Sequence, residues 1–322
     1  MIDPIKKFSA LFETFDKSGL ADFRRFLNAN SGVTKWYIAA DFCLHDKDRP
    51  NNVFAFSIIP HDAMFESIKD EIRTAIPKDW KKSKNILPTA IAFLADRRRF
   101  HIAFVFPQPP AVFNNGPGSD PRAIARESIS LTVDQLIAKG RSAESVRRLK
   151  ALRQESMANA FNVELLADMF MLTHLFCFVT LLLARERTVQ IVGWLPDRDK
   201  MTTWCEGVIF DLGVENLAGV AEHFAVNIPQ GGPLIALPTP DAAQNAMWFD
   251  EFIRLPDYVA GILAAWDFET NEIPGEKEKY RVMAQEFAAS AENIMVFKVR
   301  YDTGFQSSRL VFGKSDALQT GD

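Results

Sequence analysis

From Met169 to Ala184 the chain runs for about 16 residues almost without a polar side chain, short of the roughly 20 needed to cross a bilayer. Glu164 and Asp168 stand just before this run and His174 lies within it, each a further cost in lipid. A helix that is apolar all round must instead be covered on every side by its own protein. The run therefore predicts a central helix in a layered fold, with no membrane span. The rest of the chain can supply that cover: 48% of its residues are hydrophobic and 24% charged, an ordinary globular composition that excludes disordered and fibrous classes. A length of 322 residues fits two domains or one elaborated α/β domain.

The opening 30 residues carry a helical pattern, Ile5, Phe8, Leu11, Phe12 and Phe15, then a second short helix near Leu20 to Leu27. Lys35 to Leu44 alternates as a strand should, with Asp41 its only charge after Lys35. A polar turn from His45 to Asn52 leads to a second β-rich run, Val53 to Ile59, and the pair predicts an antiparallel hairpin. A helix from Asp62 stops at Pro77. Next come the basic loop Asp79–Lys84 and an ambiguous Pro88–Leu94, before a strand over Phe100–Phe106. Residues 108 to 122, rich in Pro, Gly and Asn, form a loop. It reads as an insertion, with strands of one sheet on both sides.

Beyond it, residues 123 to 153 are helical in pattern, and Val189 to Leu195 is a buried strand ending at Pro196-Asp197-Arg198-Asp199. Met201–Asp211 and Val214–Phe224 predict two helices, Ala225–Ile228 a short strand, and Lys279–Ser290 a helix. Ile294–Tyr301 and Arg309–Phe312 predict a closing pair of strands. Within Phe252–Trp266, Pro256 suits a first helical position. Asp257 then falls in the first turn, where a carboxylate can simply complement the positive helix end.

Cys43, Cys177 and Cys205 are widely spaced and odd in number, which argues against a disulfide framework or a structural zinc site. With no signal-peptide pattern at the N-terminus, the expected location is cytoplasmic. The net charge of −4 does not advertise a nucleic-acid binder, although a local basic groove can sit on an acidic protein. No Gly-x-Ser-x-Gly elbow supports acyl transfer. The five histidines offer no metal pair; His45, on the Asp41 face by alternation, could move a proton or merely close its turn.

Three acids remain as candidates for chemistry: Asp41 on the first strand, Asp197 or Asp199 past a later strand, and Asp257 on the late helix. Carboxylates gathered at one point hold hard divalent cations such as Mg²⁺ or Mn²⁺, which can promote phosphodiester cleavage. Each also has a plain structural role, as a turn or helix-end residue. Lys81, Lys82, Lys84 and the run Arg97-Arg98-Arg99 could flank a phosphate groove, or be scattered surface charge.

Tyr37-Ile38-Ala39-Ala40-Asp41 followed by Val53 to Pro60, Trp80-Lys81-Lys82-Ser83, and Leu255-Pro256-Asp257-Tyr258-Val259-Ala260-Gly261 together resemble the ribonuclease H-like superfamily. The closer resemblance is to a bacterial family of unknown function with an Asp-Glu-Ser-Gly opening strand and a Leu-Gln-Leu-Ala-Asp late helix. It spans roughly residues 35 to 266 and departs where Phe42-Cys43-Leu44 replaces Glu-Ser-Gly. The resemblance implies an α/β fold with a ribonuclease H-like mixed sheet, helices on both faces and added helical and terminal elements. Residues 1–34 would be an N-terminal helical extension and 35–322 a single domain carrying the 108–122 insertion.

It also implies a Mg- or Mn-dependent nuclease with Asp41, Asp197 or Asp199, and Asp257 as site residues, and Lys81, Lys82 and Lys84 meeting substrate phosphate. The alternative is a catalytically inactive binding or assembly module with a protein partner.

Overall fold

The computed structural model of the chain describes residues 4–62, 64–77, 88–110, 112–113, 118–228, 247–273, 278–301 and 305–312. Two helices, α1 (Pro4–Ser18) and α2 (Leu20–Ala29), precede the hairpin β1 (Lys35–Cys43) and β2 (Asn52–Pro60). Then follow α3 (Phe65–Ala75), α4 (Pro88–Leu94), β3 (Phe100–Phe106), α5 (Pro121–Ala138), α6 (Ala143–Ser156) and α7 (Val163–Glu186). After β4 (Ile191–Pro196) come α8 (Lys200–Thr203), α9 (Val208–His223), α10 (Asp250–Ala265), α11 (Glu278–Met283), β5 (Ile294–Tyr301) and β6 (Phe305–Leu310).

Six strands form one mixed sheet among the described residues, in the order β4-β1-β2-β3-β5-β6. The β1–β2, β2–β3 and β5–β6 pairs are antiparallel, while β4 lies parallel to β1 and β5 parallel to β3. The α/β expectation and the hairpin are therefore observed, and the strands on either side of the 108–122 loop share one sheet. Val112 and Phe113 of that loop are buried, Phe113 against Phe170, and Asp120 caps α5 by accepting the Arg122 N–H.

Period-two alternation sorts side chains to two unequal faces. Trp36, Ile38, Phe54, Phe56, Phe100 and Phe104 point to one face, where α7 lies with α1, α2 and α9. There Phe176 stacks on Trp194 at 4.2 Å, and Phe178 meets both Phe12 and Phe104. Helix α7 is long and apolar enough to cross a membrane, yet 94% of its apolar window is buried inside this fold.

The other face is lined by small residues, Ala39, Ala55 and Ala103, under α10. Helix α10 answers with Ala260, Gly261, Ala264 and Ala265, all buried. Small side chains on both partners allow the helix backbone to approach the sheet closely. Asp41 stands in the same cross-strand row as Ala55 and Ala103, so it faces α10.

Several boundaries differ from expectation. Helix α10 begins at Asp250, which puts Pro256 in its interior and Asp257 beyond its first turn. Burial of Phe252, Ile253 and Leu255 extends the helix upstream, and the missing Pro256 N–H costs one internal hydrogen bond. Helix-end complementation is thus not the role of Asp257. The predicted Met201–Asp211 helix is broken, because Cys205, Glu206 and Gly207 take φ of 44°, 56° and 80°; α9 then continues through Gly213, held by buried Leu212 and Leu217.

Ala225–Ile228 is not a strand, since Ala225 turns the chain with φ 52°. The Lys279–Ser290 helix changes to a π turn at Ala284–Ala288. The last strand falls earlier than Arg309–Phe312, and Pro88–Leu94 is helical.

Candidate carboxylate site

Backbone pairing brings the first two acids together. The Asp197 N–H donates to the Ala40 carbonyl at 2.8 Å, continuing the parallel ladder in which Ala40 faces Pro196. The next step of that register sets Asp41 beside Asp197 at the carboxyl ends of β1 and β4. The third acid comes from α10, whose less buried positions Asp250, Arg254 and Asp257 form a stripe at helical spacing.

Asp41 is only 7% exposed. Burial raises its carboxyl well above the usual carboxylate value, and the charges of Asp257 and Asp197 raise it further. A single hydrogen bond from the Phe42 N–H to Oδ1, 2.7 Å long, opposes them. A side-chain hydrogen bond with Asp257 adds a smaller rise. Three acids from three separate elements thus share one field.

Asp199 does something else. It caps α8, accepting the Met201 and Thr202 N–H groups while the Thr202 hydroxyl accepts the Asp199 N–H. Of the two middle acids it is Asp197 that raises Asp41.

The oxygen-only donor set suits a hard cation. Among the described residues no three His, Cys, Asp or Glu side chains are closed into a ready ligand cluster. Mg²⁺, however, binds through one or two carboxylates and keeps several waters. Asp41 and Asp257, with Asp197 beside them, are a set of oxygen donors of the kind such an ion takes.

The cationic candidates fare differently. Arg97 pairs with Glu292, and Arg98 with Asp96 and Glu71. Arg99 is fully buried, its guanidinium 3.7 Å from the Phe93 ring centre and bonded to Asp96. Arg99 is therefore a structural residue, while Arg97 and Arg98 are paired at the surface. Lys81, Lys82 and Lys84 lie outside the described residues.

His45 does not face Asp41. Its φ of 54° ends the strand alternation, and its ring lies between two acids of α7, with Nε2 2.7 Å from Asp168 and Nδ1 3.2 Å from Glu164. Burial pushes the Asp168 carboxyl up to about 6 against the opposing pull of His45, and Asp199 adds to the rise. This second acid group at the same end of the sheet was signalled only by the four-residue spacing of Glu164 and Asp168 ahead of an apolar run, which reads more simply as a helix start.

Because Asp168 is raised from an ordinary 3.8, the folded state holds its proton longer than the unfolded chain. That contribution to stability is complete below about pH 4 and is lost as pH rises through about 6. Urea unfolding at successive pH values should show Asp168→Asn gaining on wild type between pH 4 and 6; a constant difference would exclude this titration.

Compared with known proteins, the chain matches no family model, no curated protein and no solved structure.

Proposed function

We propose that the chain is a Mg²⁺- or Mn²⁺-dependent nuclease with a ribonuclease H-like core, acting on nucleic acid in the cytoplasm. The observation that carries this reading is the meeting of Asp41, Asp197 and Asp257, contributed in the same chain order as in the superfamily that the sequence resembles. Asp41 and Asp257, whose carboxyls interact, would hold the cation with Asp197 beside them. When bound, the ion supplies the charge that activates a water and stabilises the leaving oxygen of a phosphodiester.

The protein's own part is positional. The Phe42 N–H fixes the orientation of Asp41, the β1–β4 ladder fixes the backbone of Asp197, and close packing of α10 fixes Asp257. Burial keeps the Asp41 end of the group away from bulk water, which strengthens every charge interaction there. Lys81, Lys82 and Lys84 are the proposed phosphate contacts on the substrate side.

One observation favours the second reading, an inactive binding or assembly module with a protein partner. The residue after Asp41 is Phe42, which packs with the α7-side core, so no second acid follows the strand acid. The test that separates the readings is divalent-dependent cleavage of single- and double-stranded DNA and RNA by wild type, Asp41→Asn and Asp257→Asn. Cleavage in wild type that both substitutions remove supports the nuclease; cleavage equal in all three discards the site.

A further inference from the structure

The sheet ends at β6, which among the described residues has no strand on its outer side. Proteins usually guard such an edge with a proline, a bulge, an outward lysine or a covering segment, because its free N–H and C=O groups invite another strand. The six residues Phe305–Leu310 include no proline, and their one-to-one register with β5 leaves no bulge. Their one charge, Arg309, is turned back onto Asp22 and the Ser18 carbonyl. We propose that β6 is a docking edge for an extended segment of a partner protein in which apolar residues alternate with neutral polar ones. The proposal does not depend on the nuclease reading.

Two clefts, one on each face of this strand, carry the argument. Side chains alternate across a strand: Ser307 bonds Thr14 and the Ala10 carbonyl of α1, so Gln306, Ser308 and Leu310 point to the other side. On that side lies a cleft of about 1000 Å³, whose reachable apolar walls are the partly exposed Phe268, Ile273, Leu310 and Phe312 and the 79% exposed Val311. Phe312 is held there by stacking on Trp266 at 4.6 Å. On the α1 side a cleft of about 600 Å³ is lined by Glu13, Thr14, Lys17 and Ser18. Val311 borders both, so a strand laid along β6 presents alternate side chains to an apolar wall and to a polar one.

This is how a sheet edge selects a peptide: main-chain bonds supply affinity, and pockets for every second side chain supply preference. Charge decides the chemistry of the polar positions. Glu13 pairs with Lys17 and Arg309 with Asp22, while Glu272 and Arg281 stand on the apolar cleft with opposite signs. Neither cleft has a surplus charge to hold a charged side chain. A second copy of the chain fits less well, because two-fold pairing of β6 with itself would turn its own Gln306 and Ser308 toward the apolar cleft. The edge stands four strands from β1, about 19 Å at sheet spacing, so a segment bound there leaves the acids open.

The probe is the peptide Thr-Phe-Ser-Val-Thr-Ile-Ser-amide with fluorescein at its amino end, titrated with the full chain and followed by anisotropy. Wild type should bind it saturably, and a peptide of the same composition with its apolar residues in one block should bind at least tenfold more weakly. Two further peptides carry N-methyl groups on the amides of the apolar residues or of the polar ones. A strand turns only every second N–H toward a given neighbour, so one of the two should lose at least tenfold and the other should keep its binding. Ser308→Lys, which adds an edge lysine at an exposed position, and Val311→Lys should each weaken the unmethylated peptide at least tenfold, with thermal melts unchanged.

No saturable binding by wild type, equal effects of the two N-methylated peptides, or undiminished binding by either lysine variant overturns the proposal. So does sedimentation showing that wild type pairs with itself and that Ser308→Lys is a monomer, since the occupant is then a second copy. None of these measurements involves a divalent ion or cleavage, so they are decided separately from the carboxylate site.

Discussion

Asp257→Asn is expected to abolish Mg²⁺- or Mn²⁺-dependent cleavage of nucleic acid, by about a thousandfold or more, while leaving the fold intact. Asp257 is half-buried on a helix whose other faces make the core contacts, so an isosteric amide disturbs no packing. The same change removes one of two carboxyls that would hold the cation together, and charge stabilisation by a metal contributes several kcal/mol to such a reaction. A thousandfold corresponds to about 4 kcal/mol. Asp41→Asn should act alike, and the double variant should lose little more than either single one, because residues acting as a unit are not additive. Asp199→Ala is the useful contrast: its effect should appear in stability, since the side chain caps α8, with a typical cost of about 1 kcal/mol.

The second large effect is on stability without metal. Asp41 is buried beside two other carboxylates, so Asp41→Asn should stabilise the metal-free protein at neutral pH by an amount on the order of a few kcal/mol. The sign follows from linkage. A carboxyl raised above its ordinary 3.8 binds its proton more tightly in the folded state, so the stability it allows is complete below about pH 4 and declines as pH rises through the raised value. Chemical denaturation in EDTA from pH 4 to 8 should show wild type falling and Asp41→Asn falling less. An Asp41→Asn protein less stable than wild type at pH 7 would mean that Asp41 is a satisfied structural acid.

Strand identity and faces were legible because the signals are strong and local. Alternation over Lys35–Cys43 placed Asp41 opposite Trp36 and Ile38, and that parity is what the fold uses. The α10 boundary was not legible: Pro256 signals a helix start, while burial of Phe252 and Leu255 against the sheet carries the helix through it. Nor could spacing choose between Asp197 and Asp199, since both follow the same strand; the choice depends on the parallel pairing of β4 with β1 and on the cap that Asp199 makes. The divergence of the arginine run was hidden for a related reason. Its three positions diverge to Glu292, Asp96 and the core, and adjacent residues share a face only in structures this segment does not adopt. His45 left the Asp41 face because a single left-handed residue resets strand parity.

Titration of Mn²⁺ into the metal-free protein, followed by the loss of the free-ion paramagnetic resonance signal, bears most directly on the meeting of Asp41, Asp197 and Asp257 as a cation site. Wild type should bind the ion saturably, and Asp41→Asn, Asp197→Asn and Asp257→Asn should each weaken that binding at least tenfold, with Asp199→Asn affecting it far less. Binding that is absent in wild type, or equal in wild type and all three variants, would contradict the account.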